Sequence, residues 1–188
     1  MGVLADVSGK GMSAALLSSM VLGALSMEFH SKTETQEILN RVNRLLCEKS
    51  LPHQFVTLFL FLLNPQGTGQ FISAGHNPTY LFRAATGKIE KLFSDAFFLG
   101  MFDFATYESR AFHIDTGDIL VVISDGLTDA QNPHGEMFGE QSLLQIIRQQ
   151  APAGGCAIEL NVLRAIEEFT QGMAQTDDIT FVIVQKFQ

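Results

Sequence analysis

Cysteine is scarce in this chain of 188 residues, in which Cys47 and Cys156 are far apart and outside any CxxC spacing. Two such thiols indicate neither a disulfide framework nor a zinc site. They fit a reducing compartment, and we expect a cytoplasmic location.

Clusters of lysine and arginine are also missing, and the formal net charge is -8. A chain of this kind has no footprint for a phosphate backbone, which excludes nucleic acid as the main partner. The longest apolar stretches are ALLSSMVLGALSM and FVTLFLFLL. Both are shorter than the ~20 residues of a membrane-spanning helix, and the N-terminus lacks a basic region. We therefore expect no membrane segment.

The content of hydrophobic residues is 46%, and the length suffices for one substantial core, so we expect a single domain over residues 1–188. Periodicity predicts a strand in GVLADV, a helix from Met12 to about His30, and a second helix in TQEILNRVNRLLCEK capped by Thr33 or Thr35. The next segments have the signals of strands in an antiparallel meander: FVTLFLFLLN, TGQFISAG, TYLFR, KIEKLF, YESRAFHI and DILVVIS. Helices over 141–149 and 158–169 and a last strand, ITFVIVQKF, complete an α+β pattern.

Three carboxylates fall at the ends of predicted strands: Asp6, Asp125 and Asp177. Strand ends in one sheet can converge, and converging carboxylates repel each other unless a cation compensates. Hard oxygen ligands of this kind select Mg or Mn over Zn. Neighbouring glycines would allow positive φ and close approach to an ion or a phosphate: Gly9, Gly11 and Gly126. The alternative is that each aspartate is only a turn former.

Several segments carry recognisable patterns in a fixed order: DVSGKGMSAALL, FVTLFLFLLN, SAGHNPTYLFR, TGDILVVISDGLTDAQNPHGEMFGE and DDITFVIV. In this order and spacing they resemble the bacterial metal-dependent protein serine/threonine phosphatases, in the SpoIIE-like branch of the PPM class. The resemblance covers essentially the whole chain. It implies a β-sandwich flanked by helices in α-β-β-α layers, with two Mn2+ or Mg2+ ions at one edge. It also implies a metal-activated water that attacks phosphoserine or phosphothreonine.

The resemblance carries a set of site residues onto this sequence. Asp6 is similar to the carboxylate that bridges both ions, with the carbonyl of Val7 as a further ligand. Asp125 and Asp177 are similar to ligands of the second ion, and with Asp6 they form the expected catalytic set. The loop of Gly9, Lys10 and Gly11 is expected to bind the substrate phosphate, although a solvated lysine is an alternative for Lys10.

Other polar residues near these motifs are interpreted as supporting groups. Asp178 is expected to orient Asp177 or to cap the turn, because adjacent strand residues point to opposite faces. Asp129 is interpreted as a local hydrogen-bonding partner or a solvated residue. His76 is expected to tie its loop to a neighbouring strand rather than to act as a general acid. The aromatic segment DAFFLGMF is interpreted as core packing rather than as a docking surface.

The chain departs from the family pattern at its start. Family members carry a Gly-Gly-Asp strand or hairpin before DVSGKG, and Met1 leaves no room for it. We therefore expect a domain that is N-terminally truncated relative to the family and lacks the first strand or hairpin, with an exposed sheet edge that favours a homodimer.

Two functions follow from these expectations. The first is dephosphorylation of a phosphoprotein, for which the family suggests an anti-anti-sigma-type regulator, under an upstream sensory domain in the full-length protein. The alternative is a degenerate or truncated noncatalytic module that acts in partner binding.

Overall fold

The computed structural model describes residues 1–28, 34–50, 53–175 and 177–187. Its helices are α1 (Met12–Glu28), α2 (Thr35–Lys49), α3 (Asp125–Thr128), α4 (Gly139–Gln150) and α5 (Gly155–Thr170), with a 3-10 turn at Ala151–Ala153. Its strands are β1 (Gly2–Val7), β2 (Val56–Leu63), β3 (Thr68–Ala74), β4 (Thr79–Phe82), β5 (Ile89–Leu92), β6 (Arg110–His113), β7 (Ile119–Ile123) and β8 (Phe181–Gln185). Every predicted strand and helix is present. The continuation of the first helix to His30 and the cap at Thr33 lie outside the described residues.

The chain divides into two compact units, of which the first comprises Met1–Asn64, Gly69–His76 and Phe93–Phe112. It contains α1, α2 and a sheet in the order β1-β2-β3-β6. The amphipathic helix α2 buries Ile38, Leu39, Val42 and Leu46 in one apolar cluster with side chains of β2. Leu45 of the same helix is only half-buried.

Within helix α1, the residues from Met12 to Met27 carry no charge, and the polar ones among them are serines. Leu17, Val21 and Leu25 are buried against the core of the first unit. Its opposite side leaves four large apolar side chains exposed: Met12, Leu16, Leu22 and Met27. A helix that is apolar all round normally has cover on all its faces.

The second unit comprises Pro65–Thr68, Asn77–Leu92 and His113–Gln188. Its sheet has the order β5-β4-β7-β8, and β7 pairs antiparallel with β8 from Ile119↔Gln185 to Ile123↔Phe181. All residues of β7 are buried, since Val and Ile suit a strand that is covered on both faces. Helices α4 and α5 contribute Leu143, Ile147, Ile158 and Val162 to the apolar cluster of this unit.

The predicted single meander is wrong. Strand β3 has β2 and β6 as neighbours, whereas β4 has β5 and β7, so the chain changes sheets between β3 and β4. Turn signals and alternation identify strands but not their partners, which depend on contacts distant in sequence. The predicted α+β content with antiparallel strands is confirmed. In the described part of the chain, no helix is both long and apolar enough to span a bilayer.

Candidate functional site

In the second unit, Ser124 joins the end of β7 to the segment before β8. Its amide donates to the carbonyl of Thr180 (2.8 Å), and its hydroxyl donates to the carbonyl of Asp178 (3.0 Å). The same hydroxyl accepts the amide of Thr180 (2.9 Å), and Ser124 is only 4% exposed. These bonds hold the residues next to Asp125 and Asp177 at one edge of the sheet, as the strand-end pattern predicts for this pair.

Gly126 is required for this close approach of the two segments. A Cβ atom at Gly126 would lie 2.4 Å from the carbonyl oxygen of Asp178, which is backbone and cannot turn aside. The positive φ that the sequence predicts for Gly126 is not found, because Gly126 lies in α3 and is absent from the described glycines with positive φ. Its function is to let two backbones touch.

Asp125 is half-buried and is the first residue of α3. Its carbonyl accepts the amide of Asp129 (2.9 Å) and the hydroxyl of Thr128 (3.1 Å), which fixes the turn that follows. The exposed Asp129 accepts a second bond from the Thr128 hydroxyl (3.3 Å), in agreement with a local role. The turn therefore holds Asp125 at a defined position without using its carboxylate.

The carboxylate-bearing turn borders a cleft of the second unit. Asp125 lines this cleft with Asn77, Tyr80, Asp129 and Glu140 among others. Burial, followed by the adjacent Glu140 carboxylate, raises the pKa of Tyr80, so its hydroxyl stays protonated and able to donate. Lys91 pairs with Glu140 at 2.5 Å and balances its charge. The cleft thus places the Tyr80 hydroxyl and the Asn77 amide beside the carboxylates of Asp125, Asp129 and Glu140.

Asp177 is exposed and, together with Gly126, lines a second pocket of this unit. Its Oδ1 accepts the amide of Asp178 (2.9 Å), and its carbonyl accepts Nε2 of Gln175 (2.6 Å). Asp178 contributes through its backbone, because its carbonyl is the acceptor of the Ser124 hydroxyl. The two adjacent aspartates therefore differ, since the carboxylate of Asp177 orders the turn and the main chain of Asp178 anchors it.

In the first unit, Asp6 is half-buried on β1 and lies opposite Thr57 on β2. The Thr57 hydroxyl shares a hydrogen bond of 2.9 Å with Nδ1 of His76, which is 6% exposed. This bond ties the loop of His76 to β2, as expected of a structural histidine. Val7 ends β1 opposite Val56.

The loop after β1 has the glycine conformations that the sequence predicts. Gly9 and Gly11 have φ of 92° and 77°, and an added Cβ at either position would meet nothing within 4 Å. Ser8 anchors the start of the loop, because its amide donates to the carbonyl of Phe55 (2.9 Å) and its hydroxyl accepts the Phe55 amide (2.8 Å). Lys10 is exposed, and α1 begins at Met12. The loop therefore presents open backbone at a helix N-terminus, where anions are favoured.

The donor chemistry of these residues fits a hard divalent cation, since carboxylates and carbonyls suit Mg or Mn. Asp6 belongs to the first unit and Asp125 and Asp177 to the second. Across residues 1–28, 34–50, 53–175 and 177–187, no three side chains of His, Cys, Asp or Glu form a group that could hold a metal ion. The ligand set of Asp6, Val7, Asp125 and Asp177 therefore stays a prediction.

Comparison with solved structures defines the fold. The SiaA-PP2C domain of Pseudomonas aeruginosa matches with a TM-score of 0.83 at 18% identity, over 97% of this chain and 74% of that one. The catalytic domain of the serine threonine protein phosphatase PstP, solved in complex with two manganese ions, matches with a TM-score of 0.69 at 15% identity, over 99% of this chain and 88% of that one. The fold is that of the PP2C, or PPM, phosphatases.

Sequence comparison gives the family within that class. Residues 2–187 match the family described as Stage II sporulation protein E (SpoIIE), and the chain belongs to this family. The phosphoserine phosphatase RsbU of Bacillus subtilis (strain 168) is 24% identical over 184 residues, which are 97% of this chain and 54% of RsbU. The chain thus spans about half the length of that relative. The predicted SpoIIE-like PPM family is confirmed.

Sequence reasoning missed three residues of the site. Ser124 directly precedes Asp125 in SDGLTDA. Its position at the end of the apolar strand DILVVI is the sequence signal that could have identified it. Asn77 and Glu140 line the cleft beside Asp125, but each is distant from it in sequence. No local pattern connects such residues, because the packing of β4, β7 and α4 brings them to one place.

Proposed function

We propose that this chain is a metal-dependent protein serine/threonine phosphatase that hydrolyses phosphoserine or phosphothreonine on a regulatory protein. The observation that carries the proposal is the strand-end arrangement around Ser124 and Gly126, which presents Asp125 and Asp177 at one edge within a chain of the SpoIIE family. The proposal treats residues 1–188 as one phosphatase domain.

Asp6, Asp125 and Asp177 are the proposed catalytic residues, because their carboxylates would hold Mn2+ or Mg2+ together with the carbonyl of Val7. The manganese ions of PstP support two ions of this kind. The chemistry that two bound ions supply is a water of lowered pKa and neutralised charge on the phosphoryl group. The chain's own part is to hold its carboxylates in place through Ser124, Gly126 and Asp178.

The loop of Gly9, Lys10 and Gly11 is the proposed contact for the substrate phosphate. Its glycines leave backbone exposed, and the first turn of α1 contains no acidic residue that would oppose an anion. The Lys10 ammonium adds a positive charge beside this backbone. Together these groups would orient the phosphoryl group for attack.

The proposed substrate is a small phosphoprotein of the anti-anti-sigma type, in the cytoplasm. The phosphoserine specificity in the name of RsbU supports a phosphoprotein substrate, and the greater length of RsbU supports an upstream regulatory domain in the full-length protein. The unpaired thiols of Cys47 and Cys156 agree with a reducing compartment.

We also propose that the chain forms a homodimer. Strand β1 lies at the end of its sheet order. The exposed side of α1 presents Leu16, Leu22 and Met27 and has no charged residue among them. Two copies of this acidic chain could therefore meet at this side of α1 without charge repulsion.

Substitution of Asp125 tests the phosphatase proposal. Asp125→Asn keeps the size of the side chain but removes the charge that would hold a cation. We expect Mn2+ affinity to fall at least about 10-fold and hydrolysis of an aryl phosphate to fall with it. Calorimetric titration with Mn2+ and a colorimetric phosphatase assay measure the two effects.

Asp115→Asn is the matched control, because Asp115 has the same charge, is exposed in the same unit, and lies before the start of β7, at the opposite end of this strand from Asp125. It should leave Mn2+ affinity and rate unchanged. Equal Mn2+ affinities in the wild type and Asp125→Asn would remove Asp125 from the site.

The second candidate function is a noncatalytic partner-binding module, favoured because the described residues contain no group of three potential metal-ligating side chains. This alternative predicts that millimolar Mn2+ leaves the melting temperature equal to that in chelator. The phosphatase proposal predicts a higher melting temperature, because ligands that bind the folded state stabilise it.

A further inference from the structure

Residues 93–109, between β5 and β6, display a cluster of phenylalanine rings on the surface of the first unit. Ring centroids of Phe97 and Phe102 are 4.8 Å apart, those of Phe102 and Phe104 are 5.2 Å apart, and those of Phe97 and Phe104 are 6.3 Å apart. These three residues, the phenylalanine cluster, are 49%, 37% and 69% exposed in sequence order, and Met101 beside them is 42% exposed. The interpretation of DAFFLGMF as core packing is therefore wrong for Phe97, Met101 and Phe102.

The backbone beneath the phenylalanine cluster is held by a buried asparagine of α2. Asn43 is fully buried, its Nδ2 donates to the carbonyl of Phe102 (2.8 Å), and its Oδ1 accepts the amide of Gly100 (2.8 Å). The hydroxyl of Tyr107 donates to the same Oδ1 (3.2 Å). A segment without helix or extended strand thereby has a fixed backbone, and little conformational entropy remains to be lost when a partner binds the rings.

Two further contacts show that the exposure of these rings is a feature of an ordered segment. Leu99 exchanges two backbone hydrogen bonds of 2.9 Å with Val56 and is fully buried. The ring of Phe98 stacks on Phe55 with a centroid distance of 4.7 Å. The segment therefore turns Phe98, Leu99 and Tyr107 inward, while the phenylalanine cluster and Met101 face outward.

Contact among the exposed rings distinguishes this surface from scattered apolar residues, which are common on proteins. Aromatic residues and methionine are the side chains enriched in the cores of protein interfaces, and clustered exposed apolar groups mark interaction sites. Loops of more than ~15 residues inside compact units are commonly functional.

The charges of the segment indicate the partner. Residues 93–109 contain three exposed carboxylates, Asp95, Asp103 and Glu108, and no lysine or arginine. A second copy of this chain would bring the same carboxylates together, which opposes self-association through this surface. We propose that the phenylalanine cluster and Met101 form a docking surface for a partner protein segment that presents bulky apolar side chains flanked by lysine or arginine. This surface is additional to the proposed catalytic site.

Fluorescence anisotropy with two synthetic peptides tests the proposal. The first peptide is an amphipathic helix of leucine and lysine, and the second has glutamate in place of every lysine. The wild-type chain should bind the lysine peptide at least 10-fold more tightly than the glutamate peptide. The double variant Phe97→Ser, Phe104→Ser, which keeps the net charge, should bind the lysine peptide at least 10-fold more weakly than the wild type.

Leu160→Ser, Leu163→Ser is the matched control, because it removes two exposed apolar side chains of α5, which are 57% and 49% exposed in the wild type. This control should bind the lysine peptide as the wild type does. Equal affinity in the phenylalanine variant, or equal weakening in the leucine control, would overturn the proposal.

Further measurements decide the remaining alternatives. Circular dichroism of the phenylalanine variant should match that of the wild type. The single variant Phe104→Ala, at the most exposed ring, repeats the peptide-binding test with a smaller change in the side chain. Asp103→Asn should weaken binding of the lysine peptide and should not weaken binding of the glutamate peptide. Sedimentation of the wild type and the phenylalanine variant should give equal masses, because self-association through these rings would make the occupant a second copy and overturn the proposal.

Discussion

At the scale of single residues, Ser124 and Asn43 have the same task in different units. Each is a buried polar side chain that satisfies backbone groups from a segment far away in sequence, at Asp178 and Thr180 for Ser124 and at Gly100 and Phe102 for Asn43. An unsatisfied buried polar group costs ~1–3 kcal/mol, so each of these contacts specifies where its segment must lie. Ser124 thereby positions the candidate site, and Asn43 positions the phenylalanine cluster.

Gly126 provides the first prediction at this scale. Gly126→Ala should destabilise the protein by about 2 kcal/mol, because the new Cβ would force the peptide at Asp178 away from the end of β7. Chemical denaturation measures the change in the free energy of unfolding. The same variant should also weaken Mn2+ binding, because the displaced segment carries Asp177.

Gly23→Ala is the control for this prediction. Gly23 lies within α1, and an added Cβ would meet nothing within 4 Å. Alanine has the higher helix propensity, so this variant should be more stable than the wild type by about 0.5–1 kcal/mol. If Gly126→Ala were as stable as Gly23→Ala, the close approach at Asp178 would be refuted.

At the scale of secondary-structure elements, Asp118 connects β4 with the start of β7. The carboxylate is 1% exposed and accepts Nη1 of Arg83 (2.9 Å) and the amides of Ala84 (2.8 Å) and Asp115 (3.1 Å). Arg83 also donates to Glu90 on β5 (2.7 Å). The network therefore joins three strands of the second sheet at one end.

Asp118→Ala should destabilise the protein by about 3 kcal/mol, because it leaves two amides and a partly buried guanidinium without their acceptor. Thermal and denaturant unfolding measure this loss. Glu90→Gln is the control, since its pair with Arg83 is half-exposed and such pairs contribute at most about 1 kcal/mol. Comparable losses in both variants would contradict the central role of Asp118.

Glu90→Gln should also change the dependence of stability on pH. The hydrogen bond from Arg83 lowers the pKa of Glu90 below its ordinary value of 4.5. A carboxylate with a lowered pKa stabilises the folded state at pH values above its pKa in the unfolded chain. This stabilisation disappears as the pH falls through its pKa in the folded protein. The difference in stability between the wild type and Glu90→Gln should therefore be constant near pH 7 and should vanish below the folded pKa.

At the scale of the whole molecule, the exposed side of α1 provides the test of the proposed dimer. Leu16→Glu, Leu22→Glu introduces charge at two positions that are 64% and 68% exposed in the isolated chain. We expect the variant to be monomeric, because burying these carboxylates in an interface would be unfavourable. Light scattering after size-exclusion chromatography measures the mass.

Leu160→Glu, on the exposed side of α5, is the matched control and should retain the dimer mass. A dimer that survives in the α1 variant, or a wild type that is monomeric at all concentrations, would reject the interface on α1.

The sequence by itself determined which segments form strands and helices, because alternation, helical spacing and turn residues are local properties. It also placed Asp6, Asp125 and Asp177 at or near strand ends, and it determined the open glycine loop after β1 and the family to which the chain belongs. These features need only neighbours in the chain and a recognisable order of motifs.

Only the tertiary structure decided the order of the strands, the contact of Gly126 with Asp178 and the outward position of the phenylalanine cluster. Each depends on contacts between residues that are distant in sequence. An apolar pattern shows that a phenylalanine favours burial, but not whether enough partner surface is available to bury it. In residues 93–109, Leu99, Ala105 and Tyr107 occupy core positions and Phe98 stacks on Phe55, whereas the rings of Phe97, Phe102 and Phe104 remain at the surface.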